Sequence, residues 1–312
     1  MKIIYMGTPD FAVLPLEALY NDGHEILLVV SQPDKPKGRG HKMQAPPVKE
    51  FAVSHNIPVY QPESAKTDEC FKYLKSFDAD LFIVAAYGQI LQQRVLDIPR
   101  YGCINIHASL LPAYRGAAPI QWCIIKGENV TGVTTMQMNA GLDTGDMLVK
   151  EEVVISSTDT GETLHDKLAL AGVNTIRETI KQIEAGTLNP IPQDDALSCY
   201  APMINKATGY IDFSMSAGDI YNLVRALNSY PYASTVYEGT RFKVIAAKVI
   251  EGEYKGDFGE ILDVSKDGIL VKCAENALLI TDVQFEGKKK MPVSEYIKGN
   301  KIDANVVLGE NQ

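Results

Sequence analysis

Apolar positions along the chain follow two regimes. Up to residue 186, short continuous apolar runs alternate with stretches of helical period. Residues 3–6, 26–30 and 81–86 predict buried strands, and 48–55, 68–77 and 117–125 predict helices. Residues 59–60, 133–138 and 147–155 predict further strands. A first helix runs to about Asn21 and stops at Gly23; Thr8 suits its cap, Pro9 its first position and Asp10 its positive end. A strand, a helix and a strand at this spacing form a βαβ unit, which implies a parallel sheet. Residues 160–185 give the clearest helix, with Leu164, Leu168, Ala171, Ile176, Ile180 and Ile183 as one apolar stripe. After residue 205 the pattern changes. A helix over 216–227 precedes short alternating strands that turn at Glu238-Gly239 and Lys266-Asp267-Gly268, the habit of a small β-barrel or sandwich. Between the regimes, 187–205 holds Pro190, Pro192 and Pro202 and suits a linker. The expected architecture is α/β: a Rossmann-like, mostly parallel sheet domain over 1–186, the linker, and a β-barrel domain over 206–312.

One stretch combines a strand pattern with candidate chemistry. In residues 102–121, alternation puts Asn105 and His107 on one face and Ile104 and Ile106 on the other. The run breaks at Ser109-Leu110-Leu111-Pro112, where the proline cannot continue a central ladder. A second fragment, Gly141-Leu142-Asp143-Thr144-Gly145-Asp146, follows the strand over 133–138. Asn, His and Asp together supply a polariser, a proton carrier and an orienting carboxylate, which suits attack of a nucleophile on a carbonyl. Two other readings stay open at this level. His and Asp are also metal ligands, though no second His or Cys stands at ligand spacing. Asp143 also suits a glycine-flanked turn. Ligands of open α/β sheets lie beyond the carboxyl ends of strands, and Tyr87-Gly88-Gln89 closes the apolar strand over 81–86 at such an end. The other histidines, His24, His41, His55 and His165, have no comparable context.

Composition narrows the function classes. The 312 residues are 46% apolar and 22% charged, a folded protein of two ordinary domains. The net charge of −9 excludes a uniformly basic surface, so nucleic-acid contact requires local patches. One such patch is the stretch over 31–47, with Lys35, Lys37, Arg39 and Lys42 against Asp34. Its prolines and glycines argue against regular structure, leaving a solvated loop or a basic arm for phosphates. It lacks the GxxxxGK[ST] order of a phosphate-binding loop. The triplet Lys288-Lys289-Lys290 is a second patch, usually no more than a solvated turn. Only Gly7 stands where a dinucleotide fingerprint needs three glycines, and Ser31 stands where that fingerprint places an acid. Five scattered cysteines without CxxC spacing suit reduced thiols in the cytosol, and no apolar run is long enough to span a membrane.

Nearly the whole chain resembles the methionyl-tRNA formyltransferases among the folate-dependent formyltransferases. The carriers are MGTPDFA (6–12), SQPDKPKGRG (31–40), AAYGQIL (85–91), INIHASLLPAYRGAAPIQ (104–121), MQMNAGLDTGDML (136–148) and EGKKKMPVSEYIKG (286–299). The Asn-x-His strand, SLLPxYRG and LDTGD are shared across folate-dependent formyltransferases and specify the chemistry; the basic loop together with APIQ is more specific to the tRNA enzymes. The resemblance implies 10-formyltetrahydrofolate as donor, initiator methionyl-tRNA as acceptor and no metal. It implies catalytic roles for Asn105, His107 and Asp143. Folate contacts would come from Ser109, Leu110, Leu111, Pro112, Tyr87, Gly88 and Gln89. Contacts to tRNA would come from Lys35, Lys37, Arg39, Lys42, Lys288, Lys289 and Lys290, with an OB-like barrel holding the tRNA body. A cytoplasmic monomer is the expected setting. The sequence departs from the family pattern at Met203, where a lysine is usual, at Ala207 and Thr208, where acids are usual, and at Ser229 in Asn228-Ser229-Tyr230-Pro231. Two rivals remain: a formyltransferase acting on an amino sugar nucleotide, and a non-catalytic RNA-binding protein on a transferase scaffold. The basic loop and C-terminal domain argue against the first, and the intact Asn105, His107 and Asp143 against the second.

Overall fold

The computed structural model describes residues 1–37 and 42–309, so Arg39 and His41 lie outside the described residues. Two compact units emerge. One comprises Met1–Pro119, Val130–Val154 and His165–Ala201; the other comprises Ile120–Asn129, Ile155–Leu164 and Pro202–Gln312.

The first unit begins with β1 (Lys2–Gly7), α1 (Val13–Asn21) and β2 (Glu25–Val30). Thr8 does not cap α1. A 3-10 turn over Asp10–Ala12 intervenes, with Pro9 at its N-cap and no side-chain cap, and the Thr8 hydroxyl is spent elsewhere, on the carbonyl of Tyr87 at 2.9 Å. The basic stretch is not wholly irregular. β3 (Lys35–Lys37) and β4 (Lys42–Gln44) form an antiparallel hairpin, pairing Lys35 with Gln44 and Pro36 with Met43. An isolated two-stranded ribbon admits proline because its outer edges have no ladder to complete. Lys49 anchors the hairpin's base, donating to both Asp34 oxygens (2.8 and 2.9 Å) and to Gln61 (2.7 Å).

α2 (Pro47–Ser54), β5 (Val59–Tyr60), α3 (Asp68–Lys75), β6 (Leu81–Ala85), α4 (Gln93–Leu96) and β7 (Cys103–His107) follow. Then come β8 (Arg115–Gly116), α5 (Pro119–Ile125), β9 (Val130–Gln137), β10 (Met147–Val154), α6 (Gly161–Ala185) and β11 (Tyr200–Ala201). Seven strands make one sheet in the order β10-β9-β7-β6-β1-β2-β5. β7, β6, β1, β2 and β5 are mutually parallel, whereas β9 is antiparallel to both β7 and β10. The fold is therefore the expected mostly parallel α/β sheet with an antiparallel flank. β1 and β6 are fully apolar and buried through Ile3–Met6 and Leu81–Ala85, as strands covered on both faces must be. The predicted stripe of α6 is buried at all six positions.

The segment expected as a linker is, through Ala201, part of this unit. Ile191 exchanges backbone hydrogen bonds with Met147, and β11 pairs in parallel with β8. In the second unit, α7 (Ala217–Ala226) starts at Ser216, whose hydroxyl accepts the N–H of Asp219 at 3.0 Å. β12 (Ser234–Tyr237), β13 (Thr240–Ile250), β14 (Ile261–Ser265), β15 (Gly268–Lys272), β16 (Ala277–Phe285), β17 (Met291–Pro292) and α8 (Val293–Tyr296) complete it. Its antiparallel sheet, in the order β12-β13-β16-β15-β14 with β17 on β16, curls as a half-barrel around Ile220, Phe242, Val244, Val271 and Ile280. Both predicted turns join adjacent antiparallel strands. No disulfide joins any of the five cysteines, and of these Cys199 alone is exposed.

Candidate active site

β7 places Asn105 and His107 on one face, with Cys103, Ile104 and Ile106 buried around them. The register pairs Asn105 with Met136 and His107 with Thr134 of β9. Because β9 runs antiparallel, its carboxyl end lies level with Ile104, not with the exit of β7. The loop after β9 therefore doubles back over the face of β7. It brings Asp143 Oδ2 to 3.8 Å from His107 Nδ1, and Oδ1 to 3.5 Å from Asn105 Nδ2. The three residues do converge, but loosely. Both distances exceed those of a good hydrogen bond, leaving the His107–Asp143 pair room for closer approach or a bridging water.

Backbone groups set the geometry more tightly. His107, 5% exposed, directs Nε2 to the carbonyl of Tyr114 at 3.0 Å. A carbonyl only accepts, so Nε2 carries a hydrogen and Nδ1 is left facing Asp143. Asp143 Oδ2 accepts the N–H of Gly116 at 2.9 Å. Only glycine serves at 116: φ is +115°, and a Cβ would meet the Tyr200 ring at 2.5 Å and the Ala201 carbonyl at 2.7 Å. Asp143 itself (φ 52°) and Tyr114 (φ 59°) are left-handed, a conformation rare outside glycine and concentrated at functional sites.

The Ser109–Pro112 segment forms the turn after β7. Its side chains are largely committed: the buried Ser109 hydroxyl donates to Ala113 O at 2.6 Å, and Leu111 is 1% exposed. Thr134, fully buried, donates to Ser109 O (2.8 Å) and accepts from Leu111 N (3.1 Å). Lys150 Nζ reaches Leu111 O at 2.6 Å, and desolvation lowers its pKa from the usual lysine value.

A second cluster sits where the chain switches direction across the sheet, at the carboxyl ends of β1, β2 and β6. Thr8 Oγ1 donates to Tyr87 O and accepts Gln32 N at 3.2 Å, and Gln32 Nε2 also donates to Tyr87 O at 3.3 Å. Of the expected folate contacts here, Tyr87 turns inward, with its ring in the core and its phenol pKa pushed up by burial. Gln89 is spent on Ala65 N (2.6 Å) and Pro62 O (3.2 Å). What faces outward is the backbone of Ala86 and Gly88, both exposed and left-handed.

The basic candidates lie elsewhere. Lys35 is exposed on β3, and Lys37 and Lys42 end the hairpin strands. Lys288, Lys289 and Lys290 are exposed after β16, and Lys290 Nζ sits 4.3 Å from the Tyr232 ring centre and 2.6 Å from its hydroxyl. Lys243 approaches the same ring at 5.0 Å. Among the described residues, no three His, Cys, Asp or Glu gather as a metal site, and no helix is long and apolar enough to cross a membrane. Sequence reasoning missed Tyr114 O, Gly116 N, Thr134, Lys150 and Gln193, the last of which donates to the carbonyls of Asp143 and Gly145. Gly116 and Tyr114 lie inside the quoted YRG motif; Gln193 carries no sequence signal.

Comparison with known proteins identifies the family and the fold. Residues 1–180 match the formyl transferase family, and residues 203–301 match the formyl transferase C-terminal domain. The methionyl-tRNA formyltransferase of Acetivibrio thermocellus is 51% identical over 311 residues, 99% of this chain and 100% of that protein. Two solved structures share the fold. WlaRD, a sugar 3N-formyl transferase crystallised with dTDP and 5-N-formyl-THF, superposes with TM-score 0.68 at 20% identity, covering 93% of this chain and 99% of that one. HypX from Aquifex aeolicus, in complex with tetrahydrofolic acid, superposes with TM-score 0.64 at 19% identity over 97% of this chain. This chain spans half of HypX, 50% of its length. With half its sequence shared along its whole length with that relative, this chain belongs to the methionyl-tRNA formyltransferase family.

Proposed function

We propose that this protein moves the formyl group of 10-formyltetrahydrofolate onto the α-amino group of methionine carried by initiator tRNA. The observation that carries the reading is the convergence of Asn105, His107 and Asp143 over one face of β7 in a chain of this family. The neutral amine attacks the formyl carbon and forms a tetrahedral oxyanion. Asn105 Nδ2 and protonated His107 are the donors that stabilise it. Since Nε2 is held by Tyr114 O, proton movement falls to His107 Nδ1. It relays the proton lost by the amine to the folate nitrogen as the C–N bond breaks, giving N-formylmethionyl-tRNA and tetrahydrofolate. Asp143 faces that same nitrogen and orients the ring.

The donor would lie between the Ser109–Pro112 turn and the backbone at Ala86–Gly88, within the formyltransferase domain over 1–186, of which residues 1–180 match the family. The basic stretch over 31–47, with Lys35, Lys37, Arg39 and Lys42, would take the acceptor stem. Lys288, Lys289 and Lys290 of the C-terminal domain over 206–312 would take tRNA phosphates. Phosphate contacts of this kind position a substrate without performing chemistry. The protein would act as a cytoplasmic monomer without a metal.

The deciding experiment is formyl transfer from 10-formyltetrahydrofolate to initiator and elongator methionyl-tRNA. Transfer to the initiator with strong discrimination supports the reading. Donor binding without transfer to either tRNA would redirect it to a small amine acceptor.

A further inference from the structure

Residues 187–201 lie against both halves of the site. Ile191 is tied to Met147 by backbone hydrogen bonds of 2.8 and 2.9 Å, and Tyr200–Ala201 pairs with Arg115–Gly116. Between these anchors sits Gln193. Its Nε2 donates to the carbonyl oxygens of Asp143 at 2.8 Å and of Gly145 at 2.7 Å. Its Oε1 accepts Arg115 Nε at 2.9 Å, and Arg115 continues to Asp195 Oδ1 at 2.8 Å. One amide therefore joins the backbone that presents the Asp143 carboxylate to the residue beside Gly116, whose N–H holds that carboxylate. Both amide hydrogens and the amide oxygen are used. A carboxylate at 193 would face two carbonyls without a donor, and an ammonium would offer Arg115 no acceptor.

The loop needs such a lock. Ala140, Gly141 and Leu142 are exposed, and Asp143 is a non-glycine residue at φ 52°. On its other side the loop is held by Asn139 Oδ1, which accepts Gly141 N (3.0 Å) and Thr144 Oγ1 (2.9 Å). Neither bond reaches Asp143.

We propose that Gln193 is a positioning residue for formyl transfer, acting through Asp143 by clamping its backbone to the Arg115–Gly116 segment. The proposal rests on the reading of Asp143 as the carboxylate partner of His107. Misplacing a reacting group by about 1 Å costs up to about a hundredfold in rate. Gln193→Ala should therefore lower kcat by about tenfold to a hundredfold, with KM for the folate donor and the melting temperature near wild type.

The discriminating measurement is a double-mutant cycle with Asp143→Asn. If Gln193 acts through Asp143, Gln193→Ala costs little further in the Asp143→Asn background. An equal loss in both backgrounds, or a wild-type kcat for Gln193→Ala, overturns the proposal. Should Gln193→Ala not fold, Gln193→Glu keeps the shape and the acceptor for Arg115 while deleting both donors. The same kcat loss is expected, and wild-type turnover overturns the clamp. An inactive Asp143→Asn with a fully active Gln193→Ala sinks the clamp alone. A fully active Asp143→Asn sinks the functional reading beneath it.

Discussion

The two flanks of the seven-stranded sheet solve different problems. In the parallel part, β1, β2 and β6 are apolar from Ile3, Ile26 and Leu81 onward, and toward their carboxyl ends polarity begins only where the strands stop, with Thr8, Gln32 and the carbonyl of Tyr87 closing on one another. These groups are neutral, and much of what they offer is backbone. Where the parallel strands meet the antiparallel flank, ionisable and amide side chains stand on the strand itself. Asn105 and His107 belong to β7, and Thr134 lies beside them on β9. That placement is open to the antiparallel flank because the loop after β9 returns over the sheet's face and covers them with Asp143. The parallel flank has no such return, because a crossover connection leaves the sheet at the strand end. A mostly parallel sheet with one reversed strand, β9, can thus offer a backbone-lined edge and a side-chain-lined face within one unit.

The largest effect is expected from removing the side chains on the β7 face. His107→Ala should cost about 10²–10⁴ in kcat, the usual worth of a placed proton carrier. Asn105→Ala should cost about 10²–10³, that of one oxyanion donor. Donor binding should persist in both, because the edge formed by β1, β2 and β6 is untouched. Single-turnover kinetics together with a folate-binding titration separate the two effects. Near-normal turnover in either variant would move the chemistry away from the β7 face.

The parallel half was legible because its signals are local. Continuous apolar runs at residues 3–6 and 81–86 admit few structures other than buried strands, and the six-residue stripe of α6 specifies its own core face. Asn105 and His107 were legible through alternation alone. The antiparallel pairing of β9 was not, since strand direction depends on which partner offers free hydrogen bonds, a long-range matter. The commitment of side chains was equally hidden. Tyr87 and Gln89 look like ligand contacts at a strand end, but one ring fills the core and one amide ties down residues 62–65. Thr8 looks like a helix cap, yet its hydroxyl finds a nearer carbonyl on β6's loop. Proline-rich residues 187–201 look like a linker because irregular backbone can be fastened by side chains such as Gln193, which leave no periodic trace.

A finer test compares the hydroxyl that braces each half. Thr134 is fully buried and serves two backbone groups of the Ser109–Leu111 turn. Thr134→Val keeps the volume but strands the N–H of Leu111, at about 1–3 kcal/mol. Thr8→Val breaks hydrogen bonds that are only partly buried, where water substitutes, so about 0.5–1.5 kcal/mol is expected. Thermal melting should rank wild type above Thr8→Val, and Thr8→Val above Thr134→Val. The reverse order would mean that the edge of the parallel half, not the antiparallel face, is the more tightly built.

The smallest effect concerns the histidine on the parallel side. His165 lies 3.3 Å from Asp10, just beyond β1, and 3.0 Å from Asp166. The hydrogen bond to Asp10 is the main cause raising the His165 pKa above the usual histidine value, and the same bond holds the Asp10 carboxyl below its usual range. The signs fix the window. The contribution of His165 is fully present below its unfolded pKa of about 6.5 and is lost as pH rises through its raised folded value. The contribution of Asp10 is present above about 3.9 and is lost as pH falls through its lowered folded value. Together they are largest between about pH 4 and 6.5. Asp10 is largely exposed, with 77% of its side chain accessible, so solvent screening holds the pair to the surface scale of about 1 kcal/mol or less. His165→Gln should accordingly lower the melting temperature slightly at pH 5.5 and leave it unchanged at pH 8.5. Turnover should be unaffected at both, because His107, not His165, stands with Asn105 and Asp143. A pH-dependent loss of turnover in His165→Gln would show that the two flanks share a titrating group, and the division drawn between them would fail.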